Sequence, residues 1–390
     1  MEKGGIYIHI PYCRNKCLYC DFYTGGVRIA DWERYVGSLL NELEQRREEI
    51  PGEVATLYIG GGTPSLMPLR EMERLVGGLR KYIPLDRVGE FTIEVNPEDV
   101  DEEKAAAWKD LGIDRISMGI QSLQDNELCR IKRGHDSATA IKGIEILQRY
   151  FVNISVDVMY GLPGQTLDSY KDTLEKILQY SPQHLSAYSL MLEEGTALTH
   201  LVDTGKIILP DEDEWIRMFE LTNEMLVGSR YLHYEVSNFA KPGFESRHNS
   251  SYWEGKPYLG LGAGAHSYDG GFIRRSNPND IRGYVNYFGG IVNREELAVG
   301  NTTGEKKRLY EEEILSEDEL REEYIMTGMR LKRGVDLKGL EERFGSEAKK
   351  ILLDRSSKYK ERGLVKEEGN FLSLTKEGLI LYNSVVSDLI

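Results

Sequence analysis

Cysteine is scarce in this chain: there are four in 390 residues, and three of them fall between positions 13 and 20. Thiols so few and so unevenly spread exclude a disulfide framework and point to a metal site in a reducing compartment. Long apolar runs are missing as well. No stretch approaches the ~20 residues of a membrane span, and the opening MEKGGIYIHI has no apolar segment followed by a cleavage site. The chain therefore reads as soluble and cytoplasmic, with no transmembrane segment. Positive charge is the third shortage: 49 Lys and Arg stand against 64 Asp and Glu, a net charge of -15. A polyanion would meet a repulsive field, which excludes nucleic acid as the main ligand. Solenoid-length repeats and low-complexity tracts are absent too.

What is present, up to about residue 190, is a regular alternation of short β-branched or aromatic runs with amphipathic stretches. Strands are expected at 6–10, 56–60, 91–95, 115–119, 154–160 and 184–190, and helices near 31–49, 68–82, 101–111, 136–149 and 168–179. The class is α/β with a parallel sheet. An incomplete barrel and a doubly wound open sheet share this pattern; the barrel is favoured because the chemical residues fall at strand C-termini. The Gly-rich YLGLGAGAHSYDGG (258–271) reads as irregular structure closing one side of the sheet, and EEEILSEDELREE (311–323) as a solvated linker and helix face. Beyond a boundary near residue 300, GVDLKGLEERFG predicts a helix and turn, GLVKEEGNFLSLT a hairpin, and the residues from about 375 a last helix. The balanced charge of this part lacks the basic stripe that phosphate binding needs.

The chemistry is concentrated in HIPYCRNKCLYCDFY, where cysteines spaced C-x3-C-x2-C follow the first strand directly. Each iron of a cubane [4Fe–4S] cluster wants a terminal ligand, so Cys13, Cys17 and Cys20 would leave one iron open to chelate a small molecule through amine and carboxylate. S-adenosylmethionine (SAM) offers both groups, and an electron from the cluster can cleave its sulfonium to a deoxyadenosyl radical. The competing reading is a structural zinc with His9 as fourth ligand. His9 equally suits a hydrogen-bond partner to the loop, since it shares a strand face with Tyr7. Cys129 has no neighbouring ligand pattern and is given no role.

The segment YIHIPYCRNKCLYCDF resembles the signature of the oxygen-independent coproporphyrinogen III oxidase branch of the radical SAM superfamily. GGGTPS (60–65), TIEVNPE (92–98), RISMGIQS (115–122), SVDVMYGLPGQT (155–166) and HNSSYW (248–253) recur in the family's order along most of the chain. The resemblance implies a partial (β/α)6 TIM-like radical SAM barrel over 1–235, an extension carrying the HNSSYW motif over 236–300, and a small C-terminal α+β, winged-helix-like domain over 301–390. It also implies that Tyr7 and the backbone around Tyr19 border the SAM, that Gly61, Gly62 and Thr63 meet its methionyl end, and that Glu94, Gln121, Arg133 and Asp157 complete its contacts. The chemistry suits those roles: glycines admit close backbone approach, and Glu94 and Asp157 stand in apolar strands where an unpaired carboxylate is costly. Arg133, in the charged IKRGHD, taken singly reads rather as a structural ion pair.

Within that branch the decarboxylating oxidases carry a fourth cysteine two residues after the third, where this chain has Phe22. They also carry an N-terminal extension, for which the residues before Cys13 leave no room. Both departures match the branch's heme chaperone subgroup, which implies heme, a recipient hemoprotein and an electron donor for the cluster as partners. There the HNSSYW motif is associated with heme, making His248 the candidate axial ligand, with Tyr252 and Trp253 close behind and His266 as a second candidate. No catalytic residue is assigned, and catalysis is left open. A coproporphyrinogen oxidase and a structural zinc module stand as alternatives.

Overall fold

The computed structural model describes residues 3–27, 30–290 and 310–390; the boundary expected near residue 300 lies outside the described residues. Every expected strand of the first half is present: β1 (Lys3–Ile10), β2 (Glu53–Gly61), β3 (Glu90–Val95), β4 (Arg115–Gln121), β5 (Asn153–Tyr160) and β6 (His184–Ser189). So are the helices between them: α1 (Trp32–Gln45), α2 (Leu69–Leu79), α3 (Glu102–Asp110), a short α4 (Asp125–Arg130), α5 (Ser137–Tyr150) and α6 (Leu167–Tyr180). Local chemistry sets their starts. Asp31, Asp101, Asp136 and Thr166 each accept a hydrogen bond from the first turn of α1, α3, α5 and α6, satisfying amides that have no partner within the helix.

The six strands are parallel and stand in the sheet in the order in which they occur in the chain. A doubly wound sheet would reverse direction at a switch point. Here each crossover advances the same way, which is the winding of a barrel, and the expected partial (β/α)6 barrel is what forms. Strand alternation gives the sheet two unlike faces. Ile6, Ile8 and Ile10, Leu57 and Ile59, Ile93 and Val95, Ile116 and Met118, and Val156 and Val158 are buried against the helices, each contributing roughly 1.5–3 kcal/mol. The in-register intervening positions carry Tyr7 and His9, Tyr58, Glu94, Arg115 and Ser117, Asp157, and His184. The barrel interior is thus polar and ionisable, whereas the apolar core lies outside it.

Four further helices, α7 (Ala197–Asp203), α8 (Glu212–Gly228), α9 (Arg247–Trp253) and α10 (Ile281–Phe288), accompany strands that enlarge the sheet. On one edge β8 (Asn238–Ala240) pairs antiparallel with β6, and β7 (Leu232–Glu235) antiparallel with β8. On the other, β9 (Tyr258–Leu261) pairs parallel with β1, followed by antiparallel β10 (His266–Tyr268), β11 (Ile273–Ser276) and β12 (Glu311–Ile314). The Gly-rich segment therefore extends the sheet rather than closing it: the missing Cβ of Gly260 lets the His266 carbonyl approach from the neighbouring strand. The acidic run is also more than a linker. Its first part is β12, whose Glu312 pairs with Arg275 of β11 at 2.9 Å, an edge held by cross-strand charge.

The C-terminal elements are α11 (Glu317–Arg330), β13 (Val335–Asp336), α12 (Leu337–Glu361, broken at Gly345), the hairpin β14 (Val365–Glu368) and β15 (Phe371–Leu374), then α13 (Lys376–Ile380) and α14 (Tyr382–Leu389). Gly345 has φ +87°, the left-handed conformation that supplies the expected turn. These elements clamp onto β7: Arg330 pairs with buried Glu235 at 2.9 Å, and the Lys332 amide donates to the Tyr234 carbonyl. Among the described residues no helix is long and apolar enough to cross a membrane.

Candidate functional site

The cysteine loop leaves the C-terminal end of β1 and is pinned at four points. Leu18 sits in a small apolar cluster with Ile131, Met159 and Leu198, and its backbone bonds to both Ile131 and Leu198. Arg14 reaches Asp99 at 2.8 Å, and Asp99 also accepts from Ser65. Thr63 Oγ1 lies 3.4 Å from Cys13 Sγ, and Arg133 Nη1 lies 3.6 Å from Cys17 Sγ. Burial raises the Cys13 thiol above its ordinary range and pushes Cys20 up to about 11, so thiolates there require a compensating cation.

Gly62 explains how the loop comes so close to β2. A Cβ on it would stand 2.8 and 2.9 Å from the carbonyl oxygens of Tyr12 and Ile10, and 3.0 Å from Cys13 Sγ. The glycine serves the approach of the cysteine loop, besides whatever ligand it meets. Because backbone yields poorly, Gly62→Ala is expected to destabilise the fold by about 1–3 kcal/mol and to lower iron uptake, read by thermal melting and iron analysis.

The three cysteines border a cavity of about 390 Å³ on the C-terminal side of the barrel. Tyr19, Gly61, Gly62, Thr63, Glu94, Gln121, Arg133 and Asp157 all line it, so one space gathers residues spread from 13 to 157. Glu94 accepts from the Tyr58 hydroxyl at 2.8 Å and the Gly61 amide at 2.9 Å. Burial nevertheless pushes its carboxyl up to about 7. Burial also raises Asp157, with the hydroxyls of Ser186, Ser117 and Ser155 and the charge of Arg115 pulling the other way. Two carboxylates held at such cost suit a cationic ligand. Gln121 has φ +65° at an irregularity where β4 slips register against β5, a bulge that re-aims the side chain. Arg133 donates to the Asn96 side chain at 2.9 Å and to the Gly119 carbonyl, while its buried Nε has no partner.

Asn96 was missed in the sequence reading. Its Nδ2 lies 3.4 Å from Thr63 Oγ1 and its Oδ1 holds Arg133, so it ties the two groups that touch cysteine sulfur. The signal was its place at the end of the third strand in TIEVNPE. The inward serines 117, 155 and 186 were missed as well; they become a set only once β4, β5 and β6 lie side by side.

Tyr7 is not among the cavity-lining residues. It stands behind the wall, its hydroxyl 3.0 Å from His9 Nδ1 and its ring stacked on Tyr58. His9 is buried with its other nitrogen donating to the Tyr23 carbonyl at 3.3 Å. Both ring nitrogens are engaged, so His9 offers no fourth metal donor, which removes the zinc reading's proposed ligand. Among the described residues no three His, Cys, Asp or Glu side chains converge as a single ion would require.

His248 is 1% exposed. Nδ1 lies 2.8 Å from Thr56 Oγ1, Nε2 lies 2.8 Å from the Tyr252 hydroxyl, and the ring stacks on Tyr58. Burial and the nearby Arg115 lower its pKa to about 3, so it is neutral with no nitrogen left for iron. The structure presents it as a packed interior residue, unlike the axial ligand expected from the motif. His248→Ala should destabilise by about 2–4 kcal/mol, since it leaves two buried hydroxyls unpaired and a cavity behind; denaturant titration measures this. His266 is exposed at the start of β10, outside the cavity lining, and Cys129 is exposed on α4.

A partial barrel with three thiols at the mouth of a cavity on its strand C-termini defines a radical SAM protein, and the Radical SAM superfamily model matches residues 7–177. The HemN C-terminal domain model matches residues 315–381. The chain is 34% identical to the heme chaperone HemW of Lactococcus lactis, covering 98% of this chain and 96% of that one. It is 31% identical to HemW of Bacillus subtilis, with 97% of each covered. The chain belongs to the HemW family of heme chaperones. Coproporphyrinogen III oxidase (HemN) from Escherichia coli, described as a radical SAM enzyme, superposes with a TM-score of 0.80 over 100% of this chain and 90% of that one; at 21% identity this is a likeness of fold.

Proposed function

We propose that the chain binds a [4Fe–4S] cluster through Cys13, Cys17 and Cys20, takes SAM at the iron without a protein ligand, and binds heme for delivery to recipient hemoproteins. One observation carries the cofactor half: three thiols share a cavity with two buried carboxylates and Arg133, while His9, the fourth ligand a zinc site would need, has both nitrogens engaged. The donor set fits a cluster with one open position. When bound, cluster and SAM together supply one-electron chemistry at the sulfonium. Glu94 and Asp157 would hold the ligand's amine and hydroxyls, Arg133 its carboxylate, and Gly61, Gly62 and Thr63 its methionyl end; Tyr19 would cover the loop side. An electron donor and a cytoplasmic, reducing setting belong to the same reading. The carrier half rests on near-full-length similarity to proteins named heme chaperones and on Phe22, 59% exposed at the cavity, in place of the oxidases' further cysteine.

The test is anaerobic reconstitution followed by paired assays. The expected protein is brown, contains iron and sulfide, takes up heme stoichiometrically and leaves coproporphyrinogen III intact with reductant and SAM. Protoporphyrinogen formation at an oxidase's rate would end the carrier reading. Release of 5′-deoxyadenosine, measured in the same reactions, separates cleavage of SAM from its use as a bound switch.

A further inference from the structure

Arg115 is the first residue of β4, on the inward face of the barrel and 1% exposed. Among the described residues it is in no ion pair, and its Nε and Nη1 have no hydrogen-bond partner. A buried guanidinium in that state is costly. Its neighbours in the sheet repeat the pattern. Thr92 on β3 and Asn153 on β5 flank Arg115 in register and on the same face, and Thr92 Oγ1 and Asn153 Oδ1 are likewise buried and without partners. Guanidinium donors, a hydroxyl and an amide carbonyl thus stand side by side in one layer of the barrel. That mixture of donors and acceptors suits buried water, which typically makes about three hydrogen bonds to such groups. An anion would be ill placed, because the charges of Glu90, Asp157 and Glu94 all bear on Arg115.

The Arg115 charge in turn favours the carboxylate forms of Glu94 and Asp157, although it pairs with neither. Their oxygens are held instead by neutral donors, Tyr58 and the Gly61 amide at Glu94, and Ser117 and Ser155 at Asp157. A cation in direct contact would occupy those oxygens; one set back lowers the cost of ionising them and leaves them free for a ligand. The other titratable groups facing this interior stay neutral near neutral pH. Desolvation raises the phenols of Tyr7, Tyr58, Tyr188, Tyr234 and Tyr252. Desolvation and Arg115 lower His184 and His248, the latter to about 3. Glu90 has both oxygens on the Arg247 and His248 amides.

Resting on the SAM-binding reading above, we propose that Arg115 is a positioning residue for that ligand. Solvated by water held with Thr92 and Asn153, it is the set-back counter-ion that keeps Glu94 and Asp157 available as carboxylates to the positive charge of SAM.

The experiment measures equilibrium SAM binding to the cluster-reconstituted full chain between about pH 5 and 8.5 for wild type, Arg115→Met and Arg115→Lys, with iron content and circular dichroism as controls. Arg115→Met should move the rise in affinity upward by about one pH unit, weakening binding roughly five- to tenfold at about pH 6.5 and hardly at all at about pH 8.5. Arg115→Lys keeps the charge and should return the rise to within about 0.3 of a unit of wild type. A loss of equal size at every pH, or a lysine variant no better than the methionine one, would show that Arg115 serves only the fold and would overturn the proposal. The unaltered chain gives a second measurement that does not depend on the variants folding: its crystal structure should show water on Arg115 Nε and Nη1, and a bound anion or a carboxylate oxygen there would overturn the proposal too. A wild-type chain that binds no SAM at any of these pH values would instead remove the SAM-binding reading itself.

Discussion

Replacing any one of Cys13, Cys17 or Cys20 by alanine is expected to abolish stable cluster incorporation and, with it, SAM binding, the largest single effect in this protein. A three-ligand cluster has no spare donor, and the surroundings supply none. His9 has its nitrogens committed to Tyr7 and the Tyr23 carbonyl, and Cys129 is exposed on α4, outside the cavity lining. The fold should survive, because the loop is held by Leu18, Arg14 and backbone bonds as well as by its thiols. Iron and sulfide analysis of anaerobically reconstituted protein, beside far-ultraviolet circular dichroism, measures both halves. A variant that kept full iron content would show that a further ligand had been overlooked.

The second large effect is a pH dependence centred on Glu94. Its pKa of about 7 in the fold, against an ordinary value near 4.5, means that folding favours the protonated form. The group's contribution to stability is therefore complete below about pH 4.5 and is lost as the pH rises through 7, about 3 kcal/mol in all. Asp157, also raised by burial, acts in the same direction. A cationic ligand reverses the preference by favouring the carboxylate. SAM affinity should accordingly rise roughly tenfold per pH unit between about pH 5 and 7 and then flatten. Glu94→Gln should bind weakly at all of these pH values and remove most of the slope, with Asp157 supplying any residue. Equilibrium binding over that range decides it; a wild-type profile flat in pH would mean that Glu94 does not meet the ligand's positive charge.

Much of this site was legible in the chain. Of the expected SAM contacts only Tyr7 fell behind the cavity wall, and the reason is the two-residue period of β1. Tyr7 and His9 share the inward face, but His9 and the loop above it stand between Tyr7 and the opening. The burial of His248 was hidden from the sequence for a related reason. A histidine in a short polar motif reads as available, and only the packing of α9 against β1 and β2 showed it wedged between Thr56, Tyr58 and Tyr252. The acidic run was misread in part because its basic partners, Arg274 and Arg275, precede it by some forty residues.

By itself the sequence determined what local rules control. The strand and helix starts follow from alternation and from capping residues, and the proposal of a cluster from three cysteines on one short loop. Tertiary structure alone decided which way the sheet winds, which carboxylates share a cavity, and which histidines still have a nitrogen to offer. Those outcomes depend on contacts between residues tens to hundreds of positions apart, where the free energy lies in burial and pairing that no local periodicity encodes.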